Sequence, residues 1–393
     1  MRVLYDHQIF YYQRFGGISR YYSELFKAFN KNNEIVPVIP FTYTRNEYLL
    51  NNIEEFNFIE PKFLVKHRFP GKGKLQALRN KYFPQYDTSI INTTSVINSL
   101  LEKKYDLFHP TYYDDYFMEY INDKPFVITI YDLIYEKYPD NFPPKEVETI
   151  LRNKKKLIEC ANHIIAISES VKQDLIEFYK VNENKVSVIY LGNSLIQNSL
   201  ETNIVRSIEI PDRYILYVGN RLAYKNFIFL IKSIHSILQN NKQLYVVCTG
   251  NKFTAAEKKI FRELKIEDRL IHKFVSDYEL ALLYKSAKIF VFPSLYEGFG
   301  IPVLEAMSNG CPMALSNTSS LSEVGGDAAM YFDPTNSESI CNTLNICLFD
   351  DQVRTELTRK GRERVKLFSW ENTAKATAVV YAKVLNTISK NPI

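Results

Sequence analysis

Strand-sized apolar runs alternate with helix-length amphipathic stretches along most of this chain. That alternation is the feature that most limits its fold, because it belongs to parallel α/β architecture. In the first half, residues 2–5, 34–39, 105–109, 126–131, 163–167 and 185–190 read as strands, and 19–30, 145–160 and 168–179 as helices. The second half restarts the pattern. Strands are predicted at 213–218, 243–249, 271–274, 288–292 and 312–315, and helices at 226–238, 254–264, 277–286 and 301–309. Ser168 and Ser19 are predicted N-caps, since a serine hydroxyl ahead of a helix accepts from a free backbone N–H. The polar stretch 193–210, which ends at Pro211, reads as a linker. With 393 residues the chain is too long for one ordinary core. It divides into a unit over 1–200 and a second over 201–370, with the last helix, 371–393, expected to pack back on the first unit.

Composition narrows the function. Lys plus Arg is 49 against 44 Asp plus Glu, a net charge of +5, too balanced for a dedicated nucleic-acid binder. Cys160, Cys248, Cys311, Cys341 and Cys347 form no CxxC pair, so neither a zinc cluster nor a disulfide framework is expected. Asp6 and His7 interrupt any leader-like apolar stretch, and no run reaches the roughly 18–20 apolar residues of a membrane span. A cytoplasmic protein is expected, peripheral at most on the inner membrane face. One stretch departs from the balance: between 62 and 83, Lys62, Lys66, Arg68, Lys72, Lys74, Arg79 and Lys81 are interleaved with Phe63, Phe69, Tyr82 and Phe83, with no acid. It is either a solvated face or a site for an anionic acceptor or lipid headgroup.

Three segments carry chemistry. After the strand at 288–292, Glu297-Gly298-Phe299-Gly300-Ile301-Pro302 opens a helix that contains Glu305. Pro302 suits a first helical turn, the glycines allow close backbone approach, and the helix N-terminus suits phosphate. The two carboxylates suit sugar or ribose hydroxyls instead. After the strand at 213–218, Gly219, Arg221 and Lys225-Asn226 place a bidentate cation and a point charge at the carboxyl edge of a sheet. Gly16-Gly17-Ile18 follows the first strand.

These residues resemble glycosyltransferase family 4. Glu297 and Glu305 are spaced E-x7-E around Gly-Phe-Gly, Gly219 to Asn226 matches G-x-R-x-x-x-K-N, and Gly16-Gly17-Ile18 matches the N-terminal glycine loop. Phe274-Val275-Ser276-Asp277 and Leu280 resemble the G-x-V-S-D-x-x-L stretch, with Lys273-Phe274 where Gly-aromatic is usual. The resemblance runs from about Met1 to Trp370. It implies a GT-B fold, two Rossmann-like α/β domains with parallel sheets facing across a cleft, and retaining transfer from a nucleotide diphosphate sugar. By the same resemblance Arg221 and Lys225 would bind the donor diphosphate, Glu305 the ribose and Glu297 the transferred sugar. Backbone N–H groups of Phe299, Gly300 and Ile301 would lie near that sugar. Val275 would lie by the nucleobase, and Gly16 and Gly17 across the cleft.

Many family members carry His-Asp-Leu where this chain has Tyr131-Asp132-Leu133. Either Tyr131 supplies the sugar contact or His109 takes it over, with Asp132 on the acceptor side. Residues 131–139 resemble the matching loop of bacterial polysaccharide mannosyl- and rhamnosyltransferases. GDP-mannose is the first expected donor, ahead of dTDP-rhamnose, UDP-glucose and UDP-N-acetylglucosamine, and a lipid-linked glycan the expected acceptor. No cofactor and no metal are expected, since no Asp-x-Asp stands at a strand end. Another GT-B enzyme, an epimerase or phosphorylase, and a non-catalytic binding subunit remain as alternatives. A nicotinamide-dependent dehydrogenase would need GxGxxG after a first strand, which neither half has.

Overall fold

A computed structural model describes residues 1–32, 34–52, 58–60, 87–194 and 209–390. The basic, aromatic stretch 62–83 and most of the 193–210 linker lie outside the described residues. In the N-terminal half, β1 (Arg2–Tyr5) lies between β2 (Val36–Val38) and β3 (Leu107–His109), all parallel. A bridge from Phe108 to Phe126 joins them to the parallel set β4 (Val127–Ile130), β5 (His163–Ala166) and β6 (Val186–Val188). The C-terminal half holds one parallel sheet of β7 (Tyr214–Tyr217), β8 (Tyr245–Cys248), β9 (Leu270–His272), β10 (Ile289–Phe292), β11 (Met313–Ser316) and β12 (Met330–Phe332). Its order is β12-β11-β10-β7-β8-β9, so the winding reverses between β7 and β10, where open α/β sheets bind ligands at their carboxyl ends. The inner strands β3, β4, β5, β7, β10 and β11 are buried on both faces, which is why they read as continuous apolar runs.

The helix Trp370–Lys390 runs back over the N-terminal half and packs on helix Gly17–Asn32. Its Tyr381 hydroxyl meets the Tyr5 hydroxyl at 2.9 Å and His109 Nδ1 at 2.6 Å. Among the described residues, no helix is long and apolar enough to cross a membrane.

Two local expectations hold and two need correction. Ser168 caps helix Glu169–Tyr179 by accepting from Val171 N at 3.1 Å, and Pro302 sits in the first turn of helix Ile301–Ser308. Ser19 is not an N-cap. Its helix starts at Gly17, the Ser19 hydroxyl donates to the Gly16 carbonyl, and the Gln13 side chain accepts from Ser19 N at 3.1 Å instead. The helix Thr88–Glu102 was not expected, because its β-branched, Asn and Ser residues are poor helix formers. Burial of Val96 and Leu100 and an Asp87 cap on Ser89 N outweigh that preference.

His109 is corrected as well. It has no exposed surface, and its Nε2 meets the Thr129 hydroxyl at 2.9 Å. It is a packed core histidine, away from the cleft. Burial holds its pKa down at about 3. The folded state therefore disfavours the imidazolium. Its full contribution to stability is present above the unfolded pKa of about 6.5 and is lost as pH falls through the window down to about 3, at about 1.4 kcal/mol per pH unit. Asp6, pushed up to about 6 by burial, works in the opposite direction between about 4 and 6. Denaturant titrations at pH 7 and pH 5 should show a loss of stability at pH 5, and His109→Gln should flatten that pH slope. An unchanged slope would show that His109 does not set it.

Candidate active site

The loop after β7 begins at Gly219, whose φ of +118° only glycine adopts freely. It continues through the turn Ala223–Lys225 to Asn226, left-handed at φ +59°, and into helix Phe227–Asn240. Arg221 Nε donates to Glu257 Oε1 at 2.6 Å, and Nη2 donates to the carbonyls of Asn251 at 2.6 Å and Lys252 at 3.0 Å. The guanidinium lies over the Phe253 ring, 4.9 Å from its centroid. Its Nη1 is buried without a hydrogen-bond partner, while the other two guanidinium nitrogens are turned to Glu257, Asn251 and Lys252. Burial pushes the Glu257 carboxyl up, but hydrogen bonds from Arg221 and Thr254 outweigh it and hold the pKa below its ordinary value.

The loop after β10 faces this one. Lys225 Nζ reaches Glu297 Oε1 at 2.5 Å, and the Ser294 hydroxyl donates to the same oxygen at 2.6 Å. Glu297 N donates to the Ser319 hydroxyl at 2.9 Å, and the Ser320 hydroxyl donates to the Glu297 carbonyl at 2.9 Å, so backbone and carboxylate are both fixed. Gly300, at φ +96°, turns the chain into helix Ile301–Ser308. That helix carries Glu305, buried, whose Oε2 accepts from the Tyr284 hydroxyl at 3.1 Å. The other oxygen accepts from Arg20 Nη1 at 3.3 Å, and Arg20 Nη2 donates to Asp277 at 2.6 Å. Burial raises the Glu305 pKa against the pull of Arg20 and Tyr284.

Arg20 is one of several links between the halves. The Ser168 hydroxyl donates to the Gly298 carbonyl at 2.7 Å. The Tyr296 hydroxyl donates to Asp174 at 2.6 Å and accepts from Leu133 N at 3.1 Å. Glu323 accepts from Glu169 N at 2.7 Å and Ser170 N at 3.2 Å, at the N-terminus of helix Glu169–Tyr179, where a carboxylate is favoured.

The fold thus gathers Lys225, Glu297, Gly300, Ile301 and Glu305 at one sheet edge, with Gly17 opposite: a Cβ on Gly17 would stand 3.4 Å from the Ile301 side chain. Gly16 is packed on Gln13. Val275 is half-buried three residues past the end of β9, next to Phe274, which is 91% exposed. The Phe299 side chain is buried against Tyr190 and Phe368, so only its backbone could meet a ligand. Tyr131 is corrected alongside His109. Its ring turns inward against Tyr21, Tyr22 and Tyr113, because an aromatic ring gains more from the core than from the cleft, and its carbonyl is what faces Gly298. Asp132 is half-buried and accepts from Ile134 N at 3.1 Å. Burial raises its pKa, opposed by the nearby Lys154. Sequence reasoning missed Arg20, Tyr284, Glu257, Ser294 and Ser319. Arg20 alone had a local signal, three residues after the glycine pair.

Two family models match the chain: "Glycosyltransferase Family 4" over residues 15–194 and "Glycosyl transferases group 1" over 201–364. The chain is 26% identical over 266 residues to O-antigen chain mannosyltransferase B of Escherichia coli, covering 65% of this chain and 69% of that one. It is 30% identical over 220 residues to O-antigen chain mannosyltransferase RfbU of Salmonella typhimurium, covering 54% and 58%. The match to RfbU thus spans less than two thirds of that protein. Among solved structures, sucrose-phosphate synthase from Thermosynechococcus elongatus superposes with a TM-score of 0.73 at 19% identity, covering 98% and 99%. Anabaena Alr3699/HepE in complex with UDP and glucose gives 0.70 at 15%, covering 98% and 100%. Such low identity speaks for the fold alone. The two models together take in nearly the whole of both sheets, and the chain belongs to glycosyltransferase family 4, with the GT-B fold.

Proposed function

We propose that the protein is a retaining hexosyltransferase that moves mannose from GDP-mannose to a lipid-linked glycan in bacterial surface-polysaccharide assembly. The observation that carries this reading is the Lys225–Glu297 pair at the β7/β10 reversal, beside the N-terminus of helix Ile301–Ser308. Lys225, Arg221 and that helix end would take up charge growing on the departing diphosphate, which calls for no metal. Glu305 would accept from the ribose hydroxyls and Glu297 from the transferred sugar. The exposed Phe274 ring would offer the nucleobase a stacking face beside Val275. The mannosyltransferase names of the relatives favour mannose as the sugar. The stretch 62–83 would hold the enzyme at an anionic membrane surface where a lipid-linked acceptor lies.

Calorimetry across GDP, UDP and their sugar conjugates tests the donor assignment. Glu305→Ala should weaken free nucleotide and intact donor alike by about 10- to 100-fold, the worth of a hydrogen bond to a charged group. Glu297→Ala should spare the nucleotide and weaken only the sugar conjugate. Equal losses for both ligands in both variants would mean the carboxylates are misassigned. An isomerised sugar nucleotide as the product would favour an epimerase instead.

A further inference from the structure

The two segments at the winding reversal of the N-terminal sheet carry aromatic rings, some exposed and one half-buried at the edge of the core. That sheet runs β2-β1-β3, so the reversal lies between β1 and β3, and the segments after these two strands form the rim facing the C-terminal half. Tyr11 and Tyr12, in helix Gln8–Tyr12 after β1, are 48% and 60% exposed. The Tyr12 ring lies 6.0 Å from that of Tyr112, which follows β3, is half-buried and has one face stacked on Tyr113 at 4.6 Å, leaving its other face and edge toward Tyr12. The strip continues after β4, where Tyr135 and Phe142 pack with centroids 4.2 Å apart. Two large rings left exposed side by side, as Tyr11 and Tyr12 are, with half-buried rings continuing from them, are informative, because burial is their default.

The outward polar groups along the strip are hydroxyls and carboxylates, and the cation over the Tyr135 ring, Lys154, is buried and taken up by the Asp132 carbonyl at 3.2 Å and by Glu136. The Tyr135 hydroxyl donates to Glu146 at 2.7 Å, and Asp132 lies close enough to Tyr112 to oppose its ionisation. Asp132 packs on the loop that carries Glu297, since a Cβ on Gly298 would stand 3.0 Å from the Asp132 Cβ, so the strip starts beside the proposed sugar site and leads away from it. Carboxylates repel a phosphate but accept from sugar hydroxyls, and a pyranose offers a C–H face to an aromatic ring.

We infer that Tyr12 and Tyr112 form a stacking shelf for pyranose rings of the acceptor glycan, with Tyr135 and Phe142 extending it outward. This rests on the glycosyltransferase reading above and adds to it the residues that hold the acceptor's sugar rings. The test uses the full chain with α-linked mannotriose as probe, followed by saturation-transfer NMR and calorimetry, and GDP and UDP titrated in parallel. Wild type should bind mannotriose. Tyr12→Ala and Tyr112→Ala should each weaken it about 10-fold, Tyr12→Phe should retain it, and nucleotide affinity should not change. Mannotriose binding that is absent from wild type, or equal in wild type and both alanine variants, overturns the shelf while leaving the donor reading intact. Mannotriose bound through the shelf with neither GDP nor UDP bound would keep the shelf and overturn the donor reading. A Tyr12→Ala variant that changes sedimentation behaviour would assign the strip to a second copy of the chain and overturn the glycan assignment.

Discussion

Lys225→Ala is expected to lower kcat for sugar transfer by about 100- to 1000-fold, the loss measured when one preorganised charge-stabilising donor is removed from a closed site. The substitution removes the ammonium 2.5 Å from Glu297, and with it the point charge nearest the proposed diphosphate position. It also leaves the Glu297 carboxylate buried without its counterion, beside only the Ser294 hydroxyl. Lys225→Arg keeps a cation and should recover part of the rate. Arg221→Ala is a less clean probe. Its guanidinium also ties the loop after β7 to the carbonyls of Asn251 and Lys252, so lost activity there would mix charge with loop order. Steady-state rates with GDP-mannose, alongside melting temperatures, separate the two effects. A Lys225→Ala enzyme within a few-fold of wild type would remove Lys225 from the leaving-group site.

A comparable loss, about 100-fold or more, is expected from Gly298→Ala, for a geometric reason. A Cβ on Gly298 would stand 1.8 Å from the Tyr131 carbonyl oxygen and 2.9 Å from its carbon. Both are backbone atoms of the opposite half, so no side chain can swing away, and the halves must separate. Separation would strain the Ser168–Gly298 and Tyr296–Leu133 hydrogen bonds. Donor residues Lys225, Glu297 and Glu305 all lie in the C-terminal half, so nucleotide affinity should survive while turnover falls, because chemistry needs the closed site. Small-angle scattering should show a larger radius of gyration. Wild-type turnover in this variant would mean that close approach at Gly298 is dispensable.

Much of the architecture was legible because strands buried on both faces leave continuous apolar runs, as in β4 and β10. The carboxylate loop was legible because its chemistry is local: Glu297, two glycines, Pro302 and Glu305 all fall within one strand-to-helix turn. The strand order was not legible, since nothing in the apolar pattern states that β10 rather than β8 follows β7 on one side. Partners set by long-range packing were hidden for the same reason. Arg20 meets Glu305 across 285 residues, and His109 meets Tyr381 across 272. A histidine at a strand end looks the same in sequence whether it lines a cleft or fills a core. His109 and Tyr131 proved to be core residues once helix Trp370–Lys390 and the tyrosines of helix Gly17–Asn32 closed over them.

The most direct test of the proposed transfer is to incubate the wild-type protein with GDP-mannose and α-linked mannotriose and follow the reaction by NMR. GDP should be released in step with a new mannosyl linkage, and the one-bond carbon–proton coupling at the new anomeric centre should report the α configuration of the donor. A β-linked product would contradict retention. No transfer from GDP-mannose, with efficient transfer from another nucleotide sugar, would contradict the mannosyl assignment.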